Sequence, residues 1–185
     1  MRFATTLFTL TLLCLSYTSV LQANGLRSGL QEGDYPFAFY VSDITGPAAG
    51  QRLCYRCNYG ARPVVSIFTR TMNHEVAELV KEIDNVVGRN RSSGMAAFVV
   101  VLTDDPDTQE TTLRKAARQY QIEHAPLTVF NNDAGPGQYK LSEDADVTVM
   151  MWVDDDVKVN HVFRLTDLTG DAISRVVADT RKILN

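Results

Sequence analysis

The fold depends on residues 53–68, which read Leu-Cys-Tyr-Arg-Cys-Asn-Tyr-Gly-Ala-Arg-Pro-Val-Val-Ser-Ile-Phe. From Pro63 onward this stretch is apolar and β-branched without alternation, which is the pattern of a strand covered on both faces. Just before it stand Cys54 and Cys57, a Cys-x-x-Cys pair. Two thiols this close can perform two-electron redox chemistry, close a small disulfide ring or supply half of a metal site.

Residues 1–23 have the features of a secretory signal peptide. Arg2 gives a basic start, an apolar run covers residues 7–15, and small and polar residues lead to Ala23. The run is shorter than the roughly 20 apolar residues that span a bilayer, and no later stretch is long enough either. Leu13 stands where a lipidated Cys14 would need a small residue, which argues against a lipid anchor. We therefore expect an exported protein, periplasmic or secreted, with no membrane span in the mature chain.

Composition limits the classes of partner and the number of domains. The formal net charge is −4, and loss of Arg2 with the signal peptide makes the chain slightly more acidic. This balance argues against a nucleic-acid partner, which would favour a basic face. Signal cleavage also removes Cys14, so the two remaining cysteines form a disulfide by default in an exported protein. We expect a flexible arm over 24–34 and one domain over 35–185.

The hydrophobic pattern predicts a mixed α/β order of elements. Strands are expected over 37–41 and 51–55 as an N-terminal hairpin, and then over 63–69, 96–102, 127–130, 147–153 and 157–165. Helices are expected from the Asn73 N-cap to Gly88, over 111–121, over 139–145, and from a cap at Thr169 or Asp171 to the end of the chain. Parallel strands joined by helices require right-handed crossovers. A central mixed sheet with helices on both faces follows.

Several of these segments resemble the thioredoxin fold in its redoxin or peroxiredoxin-like form, the alkyl hydroperoxide reductase/thiol-specific antioxidant group. Residues 33–39 and 43–46 resemble the opening hairpin of that family, residues 62–68 its first core strand, and residues 147–163 its last strand pair. The resemblance implies a three-layer thioredoxin-like fold with an N-terminal β-hairpin extension. Such patterns bear on fold more than on activity.

The sequence departs from this family where the family performs its chemistry. The family's reactive cysteine follows the first core strand, at the start of the next helix, but residues 69–75 read Thr-Arg-Thr-Met-Asn-His-Glu. This speaks against a typical peroxidase. The family also places a cis-proline before a late strand; our preferred alignment puts Asp146-Val147-Thr148 there, and a rival uses Ala125-Pro126-Leu127. The Cys-x-x-Cys pair precedes the core strand, so the family's mechanism does not transfer to it.

Our first functional hypothesis is a thiol–disulfide oxidoreductase or redox sensor that uses Cys54 and Cys57. One thiolate would attack a disulfide of a protein partner and the other would resolve the mixed disulfide. Arg56 and Arg62 would favour the thiolate over the thiol, and Tyr55 would tune which sulfur is exposed. No cofactor is expected.

Two alternatives stay open at this stage. The pair could be a structural disulfide in a redox-inactive binding or scaffold module that has lost the catalytic cysteine. The thiolates could instead serve a metal-handling protein, although His74, His124 and His161 are not at ligand spacing with one another. Haem attachment would require a histidine directly after Cys57, where Asn58 stands.

Overall fold

A computed structural model describes residues 25–184, so the expected signal peptide and its cleavage site lie outside the described residues. Seven strands form one sheet, in the order β2-β1-β5-β4-β3-β6-β7. The strands are β1 (Val41–Asp43), β2 (Arg52–Leu53), β3 (Val64–Thr69), β4 (Ala96–Thr103), β5 (Leu127–Asn131), β6 (Val147–Val153) and β7 (Asp156–Phe163). The helices are α1 (Tyr55–Tyr59), α2 (His74–Arg89), α3 (Pro106–Tyr120) and α4 (Gly170–Asp179).

The centre of the sheet is built from strands buried on both faces. Every residue of β3 is buried, as are all but the last residues of β4 and β6. β3, β4 and β5 run parallel, whereas β6 pairs antiparallel with β3 and then with β7. β1 and β2 form the expected antiparallel hairpin, which joins the sheet through β5. This is the expected thioredoxin-like mixed α/β sheet.

The two faces of the sheet are covered differently. The chain steps from β3 to β4 to β5 in one direction, so right-handed crossovers place α2 and α3 on the same face. Leu79 of α2, Leu113 of α3 and Val176 of α4 share one hydrophobic cluster there. On the opposite face, α1 and irregular chain cover Phe98 and Trp152. Helices therefore lie on both faces, with the three long ones together.

The segment expected to be a flexible arm is packed against the sheet from Ser28 to Asp34. Leu30 is 1% exposed and belongs to the cluster around Phe98. The backbone of Gly33 and Asp34 exchanges hydrogen bonds of 2.9 and 3.1 Å with Val157 at the start of β7. A buried apolar side chain and these backbone bonds outweigh the polar composition on which the expectation rested.

Several expected elements differ in their bounds. The strand expected over 37–41 is displaced to Val41–Asp43, where β1 pairs with β2 and β5. The last helix ends at Asp179, and a 3-10 turn over Thr180–Ile183 follows it. The strand expected over 51–55 ends at Leu53, because Cys54 caps α1. α3 begins five residues before the expected 111, because Asp105 accepts the Thr108 N–H and Pro106 occupies the first helical position. The helix expected over 139–145 is absent, and the structure has only a 3-10 turn over Gly137–Tyr139.

None of the helices within residues 25–184 is long and apolar enough to cross a bilayer.

Candidate functional site

The Cys-x-x-Cys pair lies at the start of α1, a helix of five residues between β2 and β3. Cys54 and Cys57 are joined by a disulfide, with their Cα atoms 5.2 Å apart. Cys54 is the N-cap of the helix, and its Sγ accepts the backbone N–H of Cys57 at 3.0 Å. Cys54 is 5% exposed, whereas Cys57 is exposed. One sulfur of the pair therefore belongs to a surface residue and the other to a buried one.

Tyr55, between the two cysteines, anchors α1 to the N-terminal hairpin. Its ring is 2% exposed, and its hydroxyl donates to Oδ2 of the buried Asp43 at 2.9 Å. The same carboxylate accepts the backbone N–H groups of Gly46 and Ala48, each at 2.8 Å. Burial and the contact with Asp43 raise the pKa of Tyr55, so the phenol stays protonated as a donor.

Arg56 is also turned into the protein, although it is charged. Nε donates to the Pro36 carbonyl at 2.6 Å, and Nη2 pairs with Oδ1 of Asp155 at 2.8 Å. The guanidinium lies 4.9 Å from the centre of the Tyr35 ring. Because Asp155 belongs to the turn between β6 and β7, Arg56 ties α1 to the far strand pair. These contacts join the Arg56 side chain to two oxygens and an aromatic ring, and none of them involves a sulfur. The expected effect of Arg56 on the thiolate therefore stays a prediction.

Arg62 and Tyr59 form the other end of the α1 region. Arg62 Nε donates to the Gly94 carbonyl at 2.6 Å, and the guanidinium lies 5.3 Å from the centre of the Tyr59 ring. Tyr59 packs with Tyr55 and Phe98, at ring separations of 5.3 and 6.2 Å. Burial raises the pKa of Tyr59 to about 12, although Arg62 opposes this shift. The expected influence of Arg62 on the cysteines is likewise a prediction.

The position where the resembled family carries its cysteine holds a different set of residues. Asn73 caps α2 by accepting the Val76 N–H at 3.0 Å, and His74 Nδ1 lies 3.0 Å from the Tyr120 hydroxyl. Arg70 donates to the Ala145 carbonyl at 2.8 Å. All peptide bonds within residues 25–184 are trans. β6 begins at Val147 beside β3, as the preferred alignment requires.

Metal-handling chemistry would require further ligands beside the two sulfurs. Within residues 25–184 no group of three or more histidine, cysteine, aspartate or glutamate side chains lies close enough to hold an ion. The His161 ring, one of the three candidates from the sequence, instead contacts Asp179 at 3.0 Å. Both thiols are also joined to each other. The disulfide is therefore the chemical feature on which a site can be built.

Sequence reasoning missed the two buried carboxylates that organise this half of the molecule. Asp43 holds α1 through Tyr55, as described above. Asp84 on α2 is 2% exposed, and its Oδ1 accepts the backbone N–H groups of Glu123, His124 and Ala125, at 2.5 to 2.9 Å. The spacing of Asp43 and Gly46 is a turn signal that could have identified the first. Nothing local identifies the second, whose partners lie 39 to 41 residues away.

Comparison with known proteins gives matches in structure. No protein-family model matches the sequence, and no curated protein matches it either. The peroxidoxin BcpB from Mycobacterium tuberculosis superposes with a TM-score of 0.60 at 18% identity, over 84% of this chain and 99% of its own. The thioredoxin domain of a thiol-disulfide oxidoreductase from Bacteroides vulgatus gives a TM-score of 0.57 at 12% identity, over 80% and 99%.

A third match is a yeast mitochondrial 1-Cys peroxiredoxin, with a TM-score of 0.56 at 11% identity over 83% of this chain and 77% of its own. At such identities the likeness concerns the fold and carries no residue roles. The matches agree with the fold that the strand patterns predict. The chain therefore has a thioredoxin-like α/β fold, with a Cys54–Cys57 disulfide placed before the first core strand.

Proposed function

We propose that this chain exchanges disulfides with the thiols of partner proteins through Cys54 and Cys57. The observation that carries the proposal is the unequal exposure of the two cysteines in one bond, since Cys57 is exposed and Cys54 is 5% exposed. Thiol–disulfide exchange requires one sulfur that a partner can reach and a second that can leave. A buried pair that only stabilised the fold would need no exposed member.

The exchange begins at Cys57. A partner thiolate attacks Cys57 Sγ, a new sulfur–sulfur bond forms, and the Cys54–Cys57 bond breaks with its electron pair on Cys54 Sγ. The Cys57 N–H, which already points at that sulfur at 3.0 Å, favours the thiolate that leaves. A second partner thiolate then attacks the partner sulfur and releases Cys57. The partner dithiol loses two electrons and two protons, which the two cysteines take up.

In this scheme the residues around the two cysteines hold the disulfide in position. Tyr55 and Arg56 fix α1 through Asp43, Pro36 and Asp155, so the disulfide keeps its orientation when one sulfur is released. We propose that Arg56 and Arg62 also bias the sulfurs toward thiolate through their charge, as the sequence suggests. Their guanidinium groups donate to backbone carbonyls, which places this charge at fixed points beside the helix.

The experiment compares the two single cysteines in a Cys14→Ser background. Cys54→Ser leaves Cys57, and Cys57→Ser leaves Cys54. We expect Cys57 to react with Ellman's reagent at least about tenfold faster than Cys54, because reactivity follows access to the thiolate. We also expect the Cys54→Ser protein to accumulate a stable mixed disulfide with glutathione. Equal rates, or faster labelling of Cys54, would contradict the proposed order of attack.

A redox-inactive binding module is the second candidate, and the anchoring of α1 favours it. Tyr55 and Arg56 are both buried, and each is fixed to residues outside the helix, as expected of a bridge that pins the hairpin to the core. Residues 69–75 also lack the cysteine that the resembled family carries. In this case the wild-type disulfide would stay oxidised in excess reduced glutathione, whatever the labelling rates of the two single-cysteine variants.

We further propose that the chain is exported after cleavage near Ala23. The basic start, short apolar run and small residues of residues 1–23 support this proposal, together with the oxidised pair. N-terminal sequencing of the protein recovered from its producing cells is expected to begin near Asn24. Recovery of an intact Met1 on the folded, oxidised protein would contradict export.

A further inference from the structure

A cleft of about 580 Å³ opens at the end of the sheet where β4 and β5 begin. One wall is formed by the turn after β1 and the end of α1, through Pro47 and Tyr59. The other is formed by the last turn of α2 and by the segment 122–126 that leads into β5. Its volume lies within the roughly 300–1,000 Å³ that are typical of small-molecule sites.

The floor of the cleft is apolar and already packed. Val87, Met95, Ile122 and Ala125 line it, and each is at most 8% exposed. Asp84 holds the 122–126 wall in place through the three backbone N–H groups described above. The cleft is thus a preformed depression with an apolar base, and a ligand could bind there without ordering the residues that line it.

The rim carries two guanidinium groups, from Arg62 and Arg91, both exposed. Arg62 is held by its Nε bond to Gly94 and by its contact with the Tyr59 ring, which leaves its terminal nitrogens available. Among residues 25–184, neither arginine has a carboxylate within ion-pair distance. Glu123, exposed on the same rim, is the one acidic side chain of the lining.

We propose that this cleft binds a small organic anion with an apolar body. The anionic group would lie on Arg62 and Arg91, since guanidinium presents paired donors that match the geometry of such groups. The apolar body would cover the floor formed by Met95 and Ile122. The two arginines form a local positive patch, although the chain as a whole carries a net charge of −4.

Tyr59 contributes its ring to the wall of the cleft, beside the Arg62 guanidinium. Its hydroxyl donates to the Ala97 carbonyl at 3.4 Å, which fixes the ring against the sheet. Cys54 and Cys57 are not among the residues that line the cleft. The site is therefore distinct from the thiol pair, and the proposal does not depend on disulfide exchange.

The test is a fluorescence titration of the full oxidised protein with anilinonaphthalene sulfonate (ANS), an anion with an aromatic body. We expect one saturable site. Arg91→Gln, which removes an exposed guanidinium, should weaken binding by about tenfold, the effect of a charge-assisted hydrogen bond. Arg175→Gln on α4 is the matched control, because it removes an exposed arginine outside the cleft. Glu123→Gln should strengthen binding by about threefold, since it removes the like charge.

Thermal unfolding of each variant checks that the fold is kept. If Arg91→Gln unfolds at a lower temperature than the wild type, Arg91→Lys replaces it, because lysine keeps the charge and removes the paired donors. Equal affinities for Arg91→Gln and Arg175→Gln would overturn the proposal. A loss of affinity in Glu123→Gln, or binding that does not saturate at one site, would also overturn it.

Discussion

At the scale of single residues, the buried carboxylate of Asp84 holds a segment of backbone in place. Asp84 lies on the face of α2 that packs on the sheet, and its Oδ1 replaces water for three consecutive backbone N–H groups. Its Oδ2 lies 3.5 Å from Lys81 Nζ, which partly offsets the cost of burying the charge. The carboxylate therefore fixes the segment that leads into β5. Three buried N–H groups without a partner would cost more free energy than burying the hydrogen-bonded carboxylate does.

Replacing Asp84 by alanine should destabilise the protein by about 3 kcal/mol, since charge-assisted hydrogen bonds to buried groups are lost together. Asp84→Asn keeps one oxygen acceptor and should cost roughly half as much. Urea unfolding followed by circular dichroism gives both values. Glu82→Gln is the matched control, because it removes an exposed carboxylate two residues away on the same helix. A cost for Asp84→Ala no larger than that of the control would refute this role.

At the scale of elements, α1 and the β1–β2 hairpin form one unit. Asp43 closes the turn over Gly46 and Ala48 and also accepts the Tyr55 hydroxyl from α1. The turn passes so close to this pair that a Cβ on Gly46 would collide with Tyr55 Oη and with both carboxylate oxygens of Asp43. Glycine is thus required here by close approach, and the position of the disulfide depends on it.

Gly46→Ala should therefore destabilise the protein by about 2 kcal/mol, because the added methyl forces the Tyr55–Asp43 contact apart. It should also speed the reduction of the Cys54–Cys57 disulfide by dithiothreitol, since α1 loses its anchor. Gly170→Ala is the control, because a Cβ there meets nothing within 4 Å at the start of α4. If Gly46→Ala matched Gly170→Ala in stability and in reduction rate, the coupling of turn and helix would be wrong.

Local patterns in the sequence predict most elements, but they miss short elements and contacts between residues that are far apart in the chain. The continuous apolar runs of β3, β4 and β6 and the helical period of α2 predict those elements to within two residues. The pattern does not reveal α1, because its five residues, Tyr-Arg-Cys-Asn-Tyr, alternate apolar and polar side chains as a strand would. It also cannot show that Arg56 pairs with Asp155, 99 residues away, since local spacing carries no information about that partner.

At the scale of the whole molecule, the second face of the sheet is an aromatic layer in place of long helices. Phe39, Phe68, Phe98 and Trp152 form it together with three tyrosines, Tyr55, Tyr59 and Tyr139. Burial raises the pKa of each of the three phenols. It raises the pKa of Tyr59 to about 12, with Arg62 opposing, and it also raises the pKa of Tyr55 and, with Arg56 opposing, that of Tyr139. The fold class was predictable from the order of elements. The aromatic layer was not, because it forms only when residues 28–40 pack over this face of the sheet.

These tyrosines predict instability in alkali. A pKa raised above its unfolded value of 10.0 gives a contribution that is complete below pH 10 and lost as the pH rises through the folded pKa, near 12 for Tyr59. The free energy of unfolding should fall above pH 10, by up to about 4 kcal/mol per pH unit if all three phenols contribute. Urea unfolding across this range measures the slope.

Tyr59→Phe should reduce that slope by about 1.4 kcal/mol per pH unit, and Tyr40→Phe, which alters a 57% exposed ring, should leave it unchanged. A slope that is identical in the wild type and in Tyr59→Phe would show that the aromatic layer does not exclude the phenolate.

The central proposal is that Cys54 and Cys57 exchange disulfides, and their reduction potential tests it most directly. The folded protein is equilibrated with defined ratios of reduced and oxidised glutathione, and the thiols are trapped and counted. We expect a potential within the range of working oxidoreductases, about −120 to −270 mV. A value below about −300 mV would mark a structural disulfide and would contradict the proposal.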